Sequence, residues 1–380
     1  MVVNKSRIYV LAISVLAALA IAPSYGQTPW RSGLKTRNVV LIVADGLRWQ
    51  EIFTGAEEDL LNDKAGGIWA KPEELRKQFW RDDAQQRREA LFPFLWGTIA
   101  KQGQLFGDRS KGSDAHVSNG QAFSYPGYNE MLTGHPDPRI DSNQFGANPN
   151  LTVFEWLNGL PDFHNQVAIY ATWSAFKSIF NEDRSHLIMH VGWDPPYRGN
   201  LTPAQRQLND LYRTTTQLDD EDVYDSFLQI PLLDYMQERH PRVLFVGYGE
   251  TDNWAHSGRY DLVLQSAHAF DHYVAELWKT VQGIPAYRGQ TTFIITTDHG
   301  RGGGPEEWKE HGADQKGSEN IWLAVIGPDT PALGDRSIAS PVIQAQIAAT
   351  LAVLLGKDFR QAVPQAAAPI ADILPGSTFK

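Results

Sequence analysis

The sequence of 380 residues contains no cysteine, which excludes disulfide bonds, thiolate metal ligands and cysteine nucleophiles. It also lacks an excess of basic residues, because 34 Lys and Arg stand against 44 Asp and Glu, a formal net charge of −10. A field of that sign disfavours binding to nucleic-acid polymers and to anionic lipid surfaces. Internal repeats and low-complexity tracts are absent too. The 42% of hydrophobic and 21% of charged residues are typical of a globular protein.

An uncharged apolar run lies at the N-terminus, in residues 8–22, behind the positive residues Lys5 and Arg7. The run is short for a membrane span and is followed by small residues. We therefore predict that residues 1–26 are a signal peptide, with an uncleaved N-terminal anchor as the alternative. The rest of the chain is then expected to be exported, to the periplasm or out of the cell, without a stable membrane span.

Five runs of β-branched and other apolar residues predict buried strands. They are residues 38–44, 167–171, 242–248, 291–297 and 321–326. The runs are apolar along their whole length and do not alternate, which favours a parallel sheet covered on both faces. Helical patterns, including 90–102 and 261–282, lie between them. This alternation predicts an α/β fold with a largely parallel central sheet and helices on both faces.

Two stretches fit the alternation poorly, at about 56–88 and 193–225, because they are rich in charged and polar residues. We predict that residues 27–380 form a single domain and that both stretches are insertions that cap one end of the sheet. Solvated surface helices without a role are the alternative.

Acidic and histidine side chains follow three of the predicted strands or lead into a fourth: Asp45, Asp252, His256, Asp298, His299 and His311. Ligands bind beyond the carboxyl ends of parallel strands, so we expect these side chains to meet. Without a cation, the carboxylates of such a cluster would repel one another, and burying these polar side chains away from water would be costly. Donors of this kind suit Zn²⁺ first and Mn²⁺ second, and six of them suffice for two ions. Taken singly, Asp45 is more typical of a helix N-cap than of a functional residue. The alternatives for the others are turn residues for Asp298 and His299 and a helix start for Asp252 and His256.

A serine stands at the start of a further predicted helix. Ser124-Tyr125-Pro126 indicates a turn, and Gly134 marks the end of the helix. Backbone N–H groups and the positive end of the helix dipole would face any anion beside Ser124. Together with the acidic cluster, this position makes Ser124 a candidate nucleophile. A capping serine is the alternative.

These motifs, in this order, resemble the alkaline phosphatase superfamily, and most closely its branch of nucleotide pyrophosphatases/phosphodiesterases. The resemblance covers residues 38–45, 89–134, 242–300 and 311–327 and neither insertion. It implies an alkaline phosphatase-like fold and a metal-dependent hydrolase of small-molecule phosphate esters. The implied activity is that of a phosphodiesterase or phosphatase that forms a covalent seryl-phosphate intermediate.

The resemblance also assigns roles to individual residues. The implied ligands are Asp252, His256 and His311 for one divalent metal ion and Asp45, Asp298 and His299 for the other, with Ser124 between the two as nucleophile and ligand. Phosphodiesterase members use an asparagine beyond the nucleophile as a donor to a phosphoryl oxygen. Asn143 is the best match for it, and Asn148 and Asn150 are the alternatives.

Departures from the family pattern bear on the substrate. Phosphomonoesterases add a Lys-x-Arg pair or an arginine, but residues 172–177 offer only Lys177, so the preference for mono- or diesters stays open. Sulfatases need an arginine where this chain has Tyr128, which favours phosphoryl transfer. A sulfatase-type hydrolase, a phosphomutase and a non-catalytic binding protein with this fold are the alternatives. Trp173, Trp193, Tyr197 and Trp254 could line the substrate site or simply pack in the core. The oligomeric state stays open.

Overall fold

The computed structural model describes residues 33–217, 221–337 and 340–375. The predicted signal peptide, residues 1–26, lies outside the described residues. Within the described ranges, no helix combines the length and the apolar character needed to cross a membrane.

The described chain builds a central sheet of eight strands and a separate pair of short strands. The strands are β1 (Asn38–Ala44), β2 (Gln104–Phe106), β3 (Ala115–His116), β4 (Val167–Ala171), β5 (Ile188–Val191), β6 (Val243–Tyr248), β7 (Thr291–Thr296), β8 (Leu323–Ile326), β9 (Gly334–Asp335) and β10 (Val342–Ile343). The order across the central sheet is β5-β4-β6-β1-β7-β8-β2-β9, and β3 pairs with β10. Neighbours are parallel except where β8 meets β7 and β2. The prediction of a largely parallel sheet is confirmed.

Helices connect the strands. They are α1 (Trp49–Thr54), α2 (Asp63–Gly66), α3 (Pro72–Phe79), α4 (Ala84–Leu91), α5 (Ala100–Gln102), α6 (Ser124–Thr133), α7 (Val153–Asn158), α8 (Phe176–Ile179), α9 (Glu182–Ser185), α10 (Pro203–Thr214), α11 (Asp225–Arg239), α12 (Glu250–His256), α13 (Tyr260–Gly283) and α14 (Gln346–Leu354). The long helix α13 confirms the helix predicted at 261–282.

The prediction of a single helix at 90–102 is wrong. Helix α4 ends at Leu91, and the chain continues through a π-helical turn (Leu95–Ile99) into α5. Pro93 lies at the break, where proline lacks an N–H group and its ring clashes with the preceding turn. The carboxylate of Asp271 accepts hydrogen bonds from the backbone N–H groups of Phe94 (2.7 Å) and Leu95 (2.8 Å). It thereby satisfies N–H groups at the start of the second helical segment.

Both faces of the sheet are buried. On β1, Val39, Leu41 and Val43 pack into an apolar cluster that includes residues of α6, α7 and α14. The intervening residues, Val40 and Ile42, pack into a second cluster with residues of α11 and α13. Since alternate residues of a strand point to opposite faces, helices on both sides of the sheet account for the uninterrupted apolar run.

The two stretches predicted as insertions are both packed against other structure. Leu75 and Phe79 of α3 are buried in the second apolar cluster. In the other stretch, Leu208 and Tyr212 of α10 form a separate small cluster with Val223. The single-domain organisation and the role of both stretches as caps stay predictions.

We expect Asp271→Asn to lower the free energy of unfolding by about 1–3 kcal/mol, because an amide NH₂ group would face one of the two N–H groups that the carboxylate now satisfies. Urea denaturation followed by circular dichroism measures the change. Asp183→Asn, at an exposed position of α9, is the control and should shift the free energy by less than about 0.5 kcal/mol. Equal stability of the two variants would contradict the capping role of Asp271.

Candidate active site

Three adjacent parallel strands, β6, β1 and β7, end at the same edge of the sheet, and acidic residues follow each of them. Asp45 follows β1 and Asp298 follows β7. The backbone N–H of Gly46 donates to Oδ1 of Asp298 at 3.0 Å. The hydroxyl of Thr251, in α12 beyond β6, donates to the main-chain oxygen of Asp45 at 2.5 Å. The loops beyond the three strands are thus joined to one another.

His299 lies at the centre of this edge and is fully buried. Its Nε2 is 3.4 Å from Oδ1 of Asp45 and 3.3 Å from Oδ2 of Asp298. The same atom is 3.8 Å from Oδ1 of Asp252. The other ring nitrogen, Nδ1, donates to the main-chain oxygen of Gly300 at 2.9 Å, which fixes the orientation of the ring. Nε2 is therefore the atom directed at the three carboxylates.

These carboxylates create a negative electrostatic potential that favours a positive charge at this place. Burial by itself lowers the pKa of His299, but Asp298, Asp45 and Asp252 outweigh burial and raise that pKa to about 9. Burial and the neighbouring Asp45 raise the pKa of Asp298 well above its usual range. A cation at this place would relieve the repulsion that both shifts express.

A second group adjoins the first and is more accessible to solvent. Nε2 of His256 is 2.9 Å from Nε2 of His311 and 3.3 Å from Oδ2 of Asp252. Nε2 of His311 is 3.8 Å from Oδ1 of Asp252. Burial and the nearby His299 lower the pKa of His311 to about 2, so its ring is neutral and has a lone pair for a ligand. Burial would raise the pKa of Asp252, but Arg301 and His256 hold it well below its usual range.

Ser124 is the first residue of α6, and its Oγ lies 3.4 Å from Nε2 of His299. The helix approaches the sheet edge closely at Gly127. A Cβ atom at this glycine would lie 2.4 Å from the main-chain oxygen of Asp298. The absence of a side chain at Gly127 thus lets the N-terminus of α6 reach the acidic cluster. The structure brings all seven side chains of the predicted metal and nucleophile set together at one edge.

Asn143 also lies at this edge. Its Oδ1 accepts a hydrogen bond from the backbone N–H of Tyr125 at 3.0 Å, beside Ser124. The amide Nδ2 is the remaining donor of the side chain. Both alternatives lie elsewhere, because Asn148 and Asn150 each donate to Oδ1 of Asn129. Among the three predicted asparagines, Asn143 is the one beside Ser124 and on the wall of the cavity described below.

The residues present fit divalent cations. Oδ1 of Asp45 and Oδ2 of Asp298 are buried, and neither has a hydrogen-bond partner among the described residues. Two sets of three side chains place their ligand atoms within 4.8 Å of one another: Asp45, Asp298 and His299, and Asp252, His299 and His311. The first set is the one predicted. The second set differs from the predicted one, because it contains His299 in place of His256. His256 lies next to this set, with its Nε2 at 2.9 Å from Nε2 of His311.

Two further residues at this edge are missing from the predicted set. Tyr128 lies one helical turn after Ser124, and its buried hydroxyl donates to Oδ2 of Asp45 at 2.9 Å. Arg301 is 2% exposed, and its guanidinium donates to Oδ1 of Asp252 and to the main-chain oxygen of Lys309. The i, i+4 spacing from Ser124 was a usable signal for Tyr128. The position of Arg301 two residues after His299 was a weaker one.

A cavity of about 240 Å³ opens over the cluster. It is lined by Asp45, Ser124, Asn143, Gln144, Trp173, Glu221, Asp222, Gly249, Asp252, Asn253, His256 and His311. These lining residues, all within the described ranges, include neither Lys nor Arg. Lys177 instead pairs with Asp194 at 2.7 Å. Glu221 and Asp222 come from the stretch at 193–225, and no signal in the sequence singled them out.

Of the four aromatic residues considered for a substrate wall, Trp173 lines the cavity. Trp193 and Tyr197 pack against the small cluster of α10, and Trp254 packs against the second apolar cluster. Core packing therefore accounts for three of the four.

Comparison with solved structures gives matches over most of the chain at low sequence identity. The alkaline phosphatase PafA is 10% identical, with a TM-score of 0.56 over 90% of this chain and 99% of that one. A phosphonate monoester hydrolase from Silicibacter pomeroyi is 12% identical, with a TM-score of 0.54 over 91% and 78% of the two chains. A putative sulfatase from Bacteroides thetaiotaomicron is 13% identical, with a TM-score of 0.55 over 91% and 76%.

The chain has the alkaline phosphatase-like fold. The resemblance to the alkaline phosphatase superfamily is thus confirmed at the level of the fold. Models of protein families and curated protein sequences give no match. Because the matched structures include an alkaline phosphatase, a phosphonate hydrolase and a putative sulfatase, this alkaline phosphatase-like fold does not by itself select among ester classes.

We expect Tyr128→Phe to weaken the binding of an added divalent cation by about tenfold or more, because Asp45 loses the hydroxyl that orients it. Titration calorimetry of the metal-free protein with Zn²⁺ measures the affinity. Tyr287→Phe is the matched control, since the hydroxyl of Tyr287 is also buried and donates at 2.9 Å, but to Pro241 at the opposite edge of the sheet. An equal loss in both variants would show that Tyr128 has no specific role at the cluster.

Proposed function

We propose that the protein is a metal-dependent phosphodiesterase that hydrolyses small-molecule phosphate diesters through a covalent seryl-phosphate intermediate on Ser124. One observation carries the proposal. Oγ of Ser124 lies 3.4 Å from Nε2 of His299, the atom shared by the two candidate ligand sets, at the N-terminus of a ten-residue helix. The proposed cofactors are two divalent cations, for which the Asp and His donors favour Zn²⁺, with Mn²⁺ as the alternative.

Ser124 carries the covalent chemistry in this proposal. Bound cations would supply Lewis acidity that favours the serine alkoxide and offsets the charge of the phosphoryl oxygens. Oγ of Ser124 gives up its proton to water and forms a bond to phosphorus, and the leaving ester oxygen takes the electron pair of the P–O bond that breaks. A second water then attacks the same phosphorus and loses a proton, and Oγ of Ser124 leaves with the pair of its own P–O bond and takes up a proton. The positive end of the α6 dipole faces the negative charge throughout.

Asn143 is the proposed donor to a phosphoryl oxygen. Its Oδ1 is engaged by the backbone N–H of Tyr125, which directs the amide group at the cavity beside Ser124. A neutral amide offers a hydrogen bond without a charge. It therefore supports a substrate with one negative charge better than one with two.

The charges of the cavity favour diesters over monoesters. A monoester dianion carries one more negative charge than a diester, and enzymes commonly bind it with Arg or Lys. Among the described residues that line this cavity there is neither. The singly charged diester is therefore the better match.

The residue at position 128 supports phosphoryl transfer over sulfuryl transfer. Tyr128 stands where the sulfatase motif has arginine, and its side chain is fully buried against Asp45. A tyrosine engaged in this way cannot supply the positive charge of the motif. A sulfatase is the competing activity, and the experiments below separate it from a phosphodiesterase.

Ser124→Ala should lower kcat for an aryl phosphodiester by about 10³-fold or more, because the nucleophilic oxygen is removed. The number of bound cations, measured by elemental analysis of the purified protein, should stay within error of the wild type. Retained turnover in Ser124→Ala would contradict the covalent mechanism.

The same assay tests the reaction class. Bis(4-nitrophenyl) phosphate, 4-nitrophenyl phosphate and 4-nitrophenyl sulfate share one chromophore, and we expect the diester to have the highest kcat/KM. Activity should disappear with a chelator and return with Zn²⁺ or Mn²⁺. Preference for the sulfate ester would overturn the proposal in favour of a sulfatase, and no turnover of any ester by the metal-loaded protein would overturn catalysis.

Asn143→Asp should lower kcat/KM for the diester by about 10²-fold or more, because the carboxylate keeps an acceptor for Tyr125 but loses the donor to the phosphoryl oxygen. Asn143→Ala removes the same donor without adding charge and should lose a similar factor. Asn150→Ala is the control, because the side chain of Asn150 bonds to Asn129 and Asp137 and lies off the cavity wall. A larger loss in Asn150→Ala would transfer the role to that residue.

The pattern of residues 1–26 extends the proposal to the location of the protein. A cleaved signal peptide would place the activity in the periplasm or outside the cell. Small phosphate esters of the surroundings would then be the accessible substrates.

A further inference from the structure

One wall of the cavity carries charge that the proposed reaction does not use. Glu221, Asp222 and Trp173 line the same cavity as Ser124. The indole Nε1 of Trp173 donates to Oε2 of Glu221 at 2.7 Å, which couples the ring to the carboxylate. Oδ1 of Asp222 would lie 3.1 Å from a Cβ atom at Gly249, so this carboxylate is packed against the end of β6.

Backbone hydrogen bonds hold this wall in place. Trp173 and Asp222 form an antiparallel bridge. The backbone N–H of Ser174 donates to the main-chain oxygen of Glu221 at 3.0 Å. The backbone N–H of Val223 donates to the main-chain oxygen of Thr172 at 3.0 Å. Both carboxylates are therefore positioned by the segment that directly follows β4, the second strand from one side of the sheet.

The charge at the catalytic end balances without this wall, on the premise of the proposed function. Two divalent cations and the guanidinium of Arg301, which donates to Asp252, carry five positive charges. The carboxylates of Asp45, Asp252 and Asp298, the alkoxide of Ser124 and one singly charged diester carry five negative charges. Glu221 and Asp222 are additional, and an anionic or apolar group beside them would lose its hydration without a compensating partner.

We propose that Glu221, Asp222 and Trp173 form a subsite for an alkylammonium group on one of the two ester groups of the phosphodiester cleaved at Ser124. The carboxylates offset the positive charge of this group, and the aromatic side chain of Trp173 supplies apolar surface and a cation–π contact. This inference rests on the proposed function and names its substrate class. The substrate is then a zwitterion, with its negative charge at the cations and its positive charge at this wall.

The experiment uses two esters of the same shape and different charge. One is 4-nitrophenyl 2-(trimethylammonio)ethyl phosphate, and the other is its neutral-ended isostere, 4-nitrophenyl 3,3-dimethylbutyl phosphate. We expect the metal-loaded wild-type protein to cleave the ammonium ester with a kcat/KM about tenfold or more above that of the isostere.

Variants of the wall should reduce this preference. Glu221→Gln and Asp222→Asn each keep the shape of the side chain and remove one negative charge, and we expect each to lower the ratio of the two kcat/KM values about threefold or more. Asp210→Asn is the matched control. It makes the same change of net charge on α10, in the same stretch of chain, but Asp210 is exposed and off the cavity wall, so the ratio should stay at the wild-type value.

The outcomes separate the subsite from the proposed function. Equal kcat/KM values for the two esters, both lost in Ser124→Ala, would overturn the subsite and leave the phosphodiesterase standing. If neither ester is cleaved, the phosphodiesterase fails, and calorimetry with both esters decides about the subsite, since tighter binding of the ammonium ester supports it and equal or absent binding overturns it. Loss of one cation equivalent in Glu221→Gln, seen by elemental analysis, would overturn it in favour of a metal site.

Discussion

The structure depends on one electrostatic constraint, the collection of carboxylates at the edge of a parallel sheet. Asp45, Asp252 and Asp298 meet because β6, β1 and β7 are neighbours that run in the same direction. In a buried setting such a group is strongly unfavourable unless positive charge is supplied. The raised pKa of His299 has the same cause, because the three carboxylates favour the protonated form of its imidazole.

Close backbone packing makes the edge rigid. At Gly46, with φ of +59°, a Cβ atom would lie 2.5 Å from Oδ1 of Asp252. At Gly127, a Cβ atom would lie 2.4 Å from the main-chain oxygen of Asp298. Both glycines let neighbouring segments approach more closely than any side chain permits. The side chains of the candidate site are thereby held close together by the backbone, which would lower the cost of ordering them around a cation or a substrate.

The sequence predicts the sheet and the cluster because both follow from local patterns. Uninterrupted apolar runs indicate buried strands, and polar residues directly after them mark one edge. Strand direction is not contained in such a run, so the antiparallel orientation of β8 could not be predicted. For a related reason, the positions of Arg301 and Glu221 at the site could not be predicted. Their roles arise from contacts between segments distant in sequence, such as Arg301 with Asp252 and Glu221 with Trp173.

The bridge between Trp173 and Asp222 joins two parts of the protein. The strands and the residues that follow them carry the proposed catalytic groups, whereas the stretch at 193–225 contributes Glu221 and Asp222 to the cavity wall. On the proposed function, a change of sequence in that stretch would alter which molecule is accepted and leave the proposed catalytic groups intact. Substrate choice would then be a modular property, open to exchange by grafting a single surface segment.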